Sequence, residues 1–242
     1  MDSLNRQVRT LLIMLTAVLT AGVFGGAVLA QKQGAGTSGA ANVVEGTLTD
    51  VRDGKTYRTV RIVGKTWMAE NLNYEPRNGG AWCYENKEAN CGKYGRLYDY
   101  KTAYTACPAG YHLPSRAEWD KLCQATGSKK DFEKDGLMIY WLSAGTKLKA
   151  RAGWDYDDDR KRNGGGTDNF GFTALPGGIG SRWIFEGKVN EYWEKIGKKG
   201  CWWSGQANDG LVGKRGRCMG YNYDGVDEDA RSFGLSLRCV KD

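Results

Sequence analysis

Histidine is almost missing from this chain: His112 is the only one in 242 residues. A mechanism that needs an imidazole as base or ligand has one residue to use, and that residue sits just before a helix-capping signal, a position that suits a hydrogen-bonded structural role better than a general base. No Cys-x-x-Cys occurs, and one histidine cannot supply a Cys2His2 zinc cluster. There is no Gly-x-Ser-x-Gly elbow, and Gly164-Gly165-Gly166 is not followed by the Lys-Ser/Thr of a phosphate-binding loop. Nothing matches a helix-turn-helix, zinc finger or RNA-binding motif. The formal charge of +7 is spread over short clusters such as Arg160-Lys161-Arg162 and Lys198-Lys199, interleaved with acids, so it reads as a solvated surface and not a nucleic-acid site. Proline is scarce, four against 35 glycines, so the turns fall to Gly, Asn and Asp and the fold is loop-rich.

What is present begins with an uncharged run over 10–30. Arg6 and Arg9 precede an apolar stretch at 11–19, and a small-residue tail ends Val28-Leu29-Ala30. Residues 1–30 read as a cleaved export signal. The other reading is an uncleaved anchor, the only membrane attachment the chain offers, because about 20 apolar residues span a bilayer. No cysteine follows the run, which argues against a lipid-anchored form. Residues 31–45 form a linker dominated by Gly, Ala, Ser and Thr. The rest, 46–242, has no second linker and fits one domain. Seven cysteines behind such an N-terminus place the protein in an oxidising location: secreted or at the cell surface, outer membrane or periplasm included.

Within 46–242, residues 47–63 alternate as strands, and Asp53-Gly54 signals a tight hairpin. A helix is expected over 99–107, stopping at Pro108. A second begins at Ser115-Arg116-Ala117-Glu118, a capping box. Trp119, Leu122, Cys123 and Thr126 continue it at helical spacing until Gly127. From Trp141 onward short strands and glycine loops dominate. The class is α+β.

Long stretches carry a resemblance. They include Thr66-Trp67-Met68-Ala69-Glu70-Asn71-Leu72-Asn73-Tyr74, Tyr94-Gly95-Arg96-Leu97-Tyr98 and Cys107-Pro108-Ala109-Gly110-Tyr111-His112-Leu113-Pro114-Ser115. Further along come Gly145-Thr146-Lys147-Leu148-Lys149, Gly166-Thr167-Asp168-Asn169-Phe170-Gly171-Phe172-Thr173-Ala174-Leu175-Pro176-Gly177-Gly178 and Leu237-Arg238-Cys239-Val240-Lys241-Asp242. Together they resemble the Fibrobacter succinogenes major paralogous domain. The resemblance implies a C-type-lectin-like or formylglycine-generating-enzyme-like domain, with N- and C-terminal strands paired, two helices, and a long strand-and-loop half. It implies disulfides Cys83–Cys91 and Cys107–Cys239, a choice that the cysteine count alone leaves open. Cys201 and Cys218 are additional to that pattern and suit a bridge between neighbouring strands. They do not stand in the cysteine motif of formylglycine-generating enzymes, so that activity does not transfer. Cys123 is left over on the apolar face of the second helix, as a buried thiol or, alternatively, an intermolecular partner.

No catalytic constellation emerges, and a non-enzymatic binding module is expected. Its candidate ligand contacts are Trp183, Trp193, Trp202 and Trp203, since flat rings stack on sugar faces; adjacent Trp202 and Trp203 point to opposite faces of a strand, leaving one free for ligand. Asp155, Asp157 and Asp159 are the weak metal candidates, for calcium, the one cofactor considered. As an EF-hand they fail, with Arg160 at the glycine position and Gly166 at the bidentate-Glu position. The lectin calcium motifs Glu-Pro-Asn and Trp-Asn-Asp are missing, and Glu75-Pro76-Arg77-Asn78 only mimics one. A solvated acidic loop is the expectation there, and likewise for Asp224, Asp227, Glu228 and Asp229. The expected partner is a polysaccharide or a cell-surface protein, the alternatives being a structural adhesion component and an enzyme on the formylglycine-type scaffold.

Overall fold

The computed structural model describes residues 44–132, 139–205, 215–230 and 233–242. The signal or anchor expected over 1–30, and the linker as far as residue 43, lie outside them. Among the described residues no helix is long and apolar enough to cross a membrane. In chain order the elements are β1 (Val44–Thr49), β2 (Thr56–Ile62), β3 (Lys65–Met68), β4 (Ala81–Trp82), α1 (Glu88–Tyr94), β5 (Leu97–Tyr98), α2 (Tyr100–Ala103), α3 (Arg116–Ala125), β6 (Lys130–Phe132), β7 (Ile139–Trp141) and α4 (Ala144–Leu148). Then follow β8 (Tyr156–Asp157), β9 (Arg162–Asn163), β10 (Gly177–Phe185), β11 (Lys188–Ile196), β12 (Lys199–Ser204), β13 (Arg215–Gly220), β14 (Val226–Ala230), β15 (Leu235–Ser236) and β16 (Val240–Lys241). The described fold is mostly β with four short α-helices, less helical than an α+β reading suggests.

β1, β2, β3 and β16 form one sheet in that order. The N- and C-terminal strands therefore share a sheet without touching: Val240 of β16 is in register with Trp67 of β3. The first hairpin is wider than the Asp53-Gly54 signal implies. Asp50 is fully buried, its carbonyl accepts from Gly54 N–H at 2.8 Å, and its carboxylate takes Arg52 Nε at 2.8 Å. That network holds a turn over 50–55 in which only Gly54 has positive φ, at 72°.

The capping box at α3 forms as expected. Ser115 Oγ accepts from Glu118 N–H at 3.2 Å, and the Glu118 carboxylate accepts from Ser115 N–H at 2.7 Å. The helix expected over 99–107 is only α2, started by the Asp99 side chain accepting from Thr102 N–H at 2.7 Å. A ten-stranded sheet runs β4-β5-β15-β12-β13-β14-β7-β6, with β10 beside β12 and β11 beside β10. β12 divides the core. Trp202 points into the cluster of Trp67, Trp119, Phe172 and Val240, and Trp203 into that of Tyr98, Leu113, Leu237 and Cys239.

Three disulfides staple this frame: Cys83–Cys91, Cys107–Cys239 and Cys201–Cys218. The first two are the pairs the resemblance implies. The third joins directly opposed residues of β12 and β13. Cys123 is free and buried, and burial pushes its thiol up to about 12.

Candidate functional site

Two of the four aromatic candidates are corrected by their placement. Trp202 and Trp203 do point to opposite faces, but both faces of β12 are core, so both rings are buried. Their indoles are also spoken for: Trp202 Nε1 donates to Asn71 Oδ1 at 2.7 Å and Trp203 Nε1 to the Tyr98 carbonyl at 2.6 Å. Neither can stack on a ligand. Trp193 is half-buried against Tyr84, ring centroids 5.6 Å apart. Trp183 alone is open to solvent, 46% exposed near the end of the β10–β11 hairpin.

The acidic candidates also separate. Asp157 is buried and accepts from Arg160 N–H and Nη1, both at 3.3 Å. Asp155 is half-buried, its carboxylate against Gly197, while Asp159 is exposed. Asp155, Asp157 and Asp159 do not converge on one centre, since they are not a group of ligand atoms within 4.8 Å of one another. Among the described residues the one trio with ligand atoms within 4.8 Å of one another is Cys83, Glu88 and Cys91. Two of those sulfurs are joined in a disulfide, so that trio is not a thiolate metal site. The second acidic run is no solvated loop either: Asp227 and Glu228 are buried in β14. Arg217, itself buried, sits 2.8 Å from both Asp120 and Glu228, so the buried carboxylate has an opposite charge beside it.

The cleft that gathers aromatic, apolar and hydrogen-bonding groups lies over β7 and β14, where sequence reasoning named Asp224 and Asp227 only as parts of a solvated acidic run and Arg160 only as a surface cation. It is about 440 Å³, lined by Tyr140, Leu142, Arg160, Tyr223, Asp224 and Asp227. Tyr140 and Asp227 are directly opposed across β7 and β14, so ring and carboxylate share one face. Tyr223 Oη donates to Asp227 Oδ1 at 2.6 Å, and Leu142 is 53% exposed. Burial holds the Asp227 carboxyl above its ordinary value even though Tyr223 donates to it. Burial would also raise Asp224, but hydrogen bonds from Thr146 Oγ1 at 2.9 Å and Arg162 at 2.8 Å pull it lower instead.

Residues 145–149 position this cleft. The turn carrying Tyr223 and Asp224 presses against α4 so closely that a Cβ at Gly145 would collide with the Gly225 carbonyl. Thr146 N–H donates to the Asp224 carbonyl at 3.0 Å. Lys149 Nζ then closes the turn, donating to the Gly220 and Tyr223 carbonyls at 2.9 and 3.0 Å. Its burial holds the ammonium down at about 8. A larger groove of about 680 Å³ lies beside Arg52, Tyr74, Asp99 and Thr102. Two of its charged walls are already engaged, because Arg52 pairs with Asp50 at 2.6 Å and stacks 3.8 Å from the Tyr74 ring, while Asp99 caps α2.

His112 is not packed in the core. Its backbone pairs with Val240 and its side chain, 46% exposed, meets Glu118 Oε1 at 2.9 Å. Burial would raise Glu118, but hydrogen bonds from Ser115, His112 and Lys65 hold it at about 2. The histidine thus serves the cap of α3.

The model of the Fibrobacter succinogenes major domain matches residues 60–241. The chain belongs to that family. No curated protein and no solved structure matches it. In this Fibrobacter succinogenes major domain three of the long stretches meet at one buried side chain. Arg238 Nε donates to Asn71 Oδ1 and Nη2 to the Thr173 carbonyl, both at 2.8 Å, and Nη1 reaches the Phe172 carbonyl. Its guanidinium lies 4.3 Å from the Phe172 ring centroid. The stretches around 71, 172 and 238 are thus a fold-building hub, and only 145–149 reaches the cleft.

Proposed function

We propose that this domain is a non-enzymatic, lectin-like binding module, displayed outside the cytoplasm, that takes a polysaccharide in the β7–β14 cleft. The observation that carries the reading is the opposition of Tyr140 and Asp227 on one face, with Tyr223 and Asp224 alongside. Rings of this kind cover the apolar face of a sugar while carboxylates and a guanidinium bind its hydroxyls. Three disulfides support the oxidising location. The non-enzymatic part is supported by the chemistry of the cysteines and histidine: six cysteines are in bridges, the seventh is buried, and His112 is engaged by Glu118. The C-type-lectin-like description rests on the sequence resemblance and on a long strand-and-loop half that supplies the cleft. Calcium enters as an option only, since the cleft's own carboxylates are held by protein donors.

Pull-down on insoluble polysaccharides, with and without calcium, tests the reading; retention is expected, and no retention on any polysaccharide removes the sugar reading. One observation favours a second reading. Asp224 and Asp227 are pushed in opposite directions within one cleft, as acid and base pairs are in glycoside hydrolases. New reducing ends after incubation with the retained polysaccharide would establish that hydrolase, and their absence the binding module.

A further inference from the structure

The groove of about 680 Å³ over Arg52 is walled by two segments that meet at a glycine. Asp99 N–H donates to the Gly80 carbonyl at 2.9 Å, and a Cβ at Gly80 would collide with Thr102 Oγ1, so the loop at 74–80 rests directly on α2 there. Elsewhere the two walls part round the groove. Gly79 N–H donates to the Pro76 carbonyl at 3.2 Å, which sets Arg77 and Asn78 at the two central positions of a turn, both exposed on one wall. On the other wall stand Asp99, Lys101 and Thr102, with Thr105 and Ala106 just beyond the helix.

Donors are what this groove has left to offer. Arg52 Nε and Nη2 are taken by the buried Asp50 carboxylate at 2.8 and 2.6 Å, and Nη2 also by the Ala106 carbonyl at 2.7 Å. The guanidinium is therefore fixed against the Tyr74 ring with Nη1 unused, a donor positioned in advance of any ligand. The side chains of Arg77, Asn78 and Lys101 have no hydrogen bond or ion pair among the described residues. Asp99 is the one carboxylate in the lining, and it already accepts from Thr102 N–H. With Asp50 counted behind Arg52, three cations stand against two acids, and both acids are engaged. Such a concave, positive, donor-rich surface favours an anion. A fixed guanidinium edge with a mobile ammonium suits carboxylate or sulfate oxygens. Asn78 and Thr102 add groups for hydroxyls, and Pro76 and Ala106 add apolar surface. The volume lies within the ~300–1,000 Å³ of small-ligand sites, far more than a bare ion fills. Hydroxyls, an apolar face and a negative group together describe an acidic sugar.

We infer that this groove is a second binding site, for an acidic saccharide whose carboxylate or sulfate is held by Arg52 Nη1, Arg77 and Lys101. It shares no residue with the β7–β14 cleft and does not depend on the reading of that cleft.

Titration calorimetry of the disulfide-intact full chain with trigalacturonate, a sulfated trisaccharide and neutral galactotriose tests it. At least one acidic trimer is expected to bind about tenfold tighter than the neutral one, and Arg77→Ala/Lys101→Ala to lose that advantage. Both positions are exposed, and an unchanged melting temperature shows that the fold is intact. Lys121→Ala/Lys188→Ala removes the same charge from exposed positions outside the groove and is expected to bind as the wild type does. The tighter of the two acidic trimers tells carboxylate from sulfate. No acidic preference, or an acidic preference that survives Arg77→Ala/Lys101→Ala, overturns the inference. An equal loss in both double variants also overturns it, because the attraction is then one of net charge alone. Inorganic sulfate binding as tightly as the acidic trimers overturns the saccharide assignment and leaves a small-anion site.

Discussion

Arg238 is a cation buried against one amide oxygen, two backbone carbonyls and an aromatic face. Burial lowers its proton affinity to about 9, and the fork of donors is what makes the site tolerable. Lysine has the charge without the fork. Arg238→Lys is therefore expected to cost about 3 kcal/mol by leaving buried acceptors unmet. In thermal unfolding that is a fall of about 6–12 °C for a domain of this size. Lys149 gives a pH signature. Its folded value of about 8 lies below the ordinary 10.5, so between those values the unfolded chain holds more protons and stability rises with pH. Tyr57, raised to about 12 by burial, acts in the opposite sense above the ordinary tyrosine value of 10. Unfolding midpoints should thus climb from pH 8 to about 10 in the wild type, with a clearly smaller climb in Lys149→Met. Equal slopes would show that Lys149 is not held low. Neither role is visible in sequence, because a charged residue at full burial runs against its type and only packed coordinates reveal what surrounds it.

At the scale of elements, what was legible followed how local the signal is. The start of α3 is written in four consecutive residues, and Ser115, Glu118, Trp119, Leu122 and Cys123 all take the expected roles. Ser115→Ala should cost about 1 kcal/mol, read as a lowered urea midpoint at unchanged slope; no change would mean the cap is satisfied otherwise. β12 shows the opposite case. Strand alternation correctly sends Trp202 and Trp203 to opposite faces, yet whether a face meets solvent depends on α3 and Phe172 on one side and Tyr98 and Leu237 on the other. Those partners are distant in sequence. The cleft was missed for the same reason: Tyr140 and Asp227 stand 87 residues apart and meet only through the β7–β14 register. The tip of the β10–β11 hairpin was half legible, since Trp183 was singled out while the exposed Ile184, Phe185 and Val189 beside it were not.

For the whole molecule the clasp is Cys107–Cys239, which closes 132 residues, whereas Cys83–Cys91 closes eight. In the chain-entropy account these are worth up to about 5 and about 2.5 kcal/mol. Replacing Cys107 and Cys239 together by serine should lower the urea midpoint about twice as far as replacing Cys83 and Cys91. The clasp sets β16 beside β3, and Arg238, one residue before Cys239, then reaches Asn71 and the segment at 172–173. With the ends tied, the half from β7 to β14 is free to carry the cleft across those two paired strands. The measurement that tests this account most directly is the affinity of the disulfide-intact protein for a retained polysaccharide, compared with Tyr223→Ala and Asp227→Asn. The account predicts at least a tenfold loss in both variants, about 1.4 kcal/mol, with folding intact. Binding of equal strength in all three proteins would contradict it.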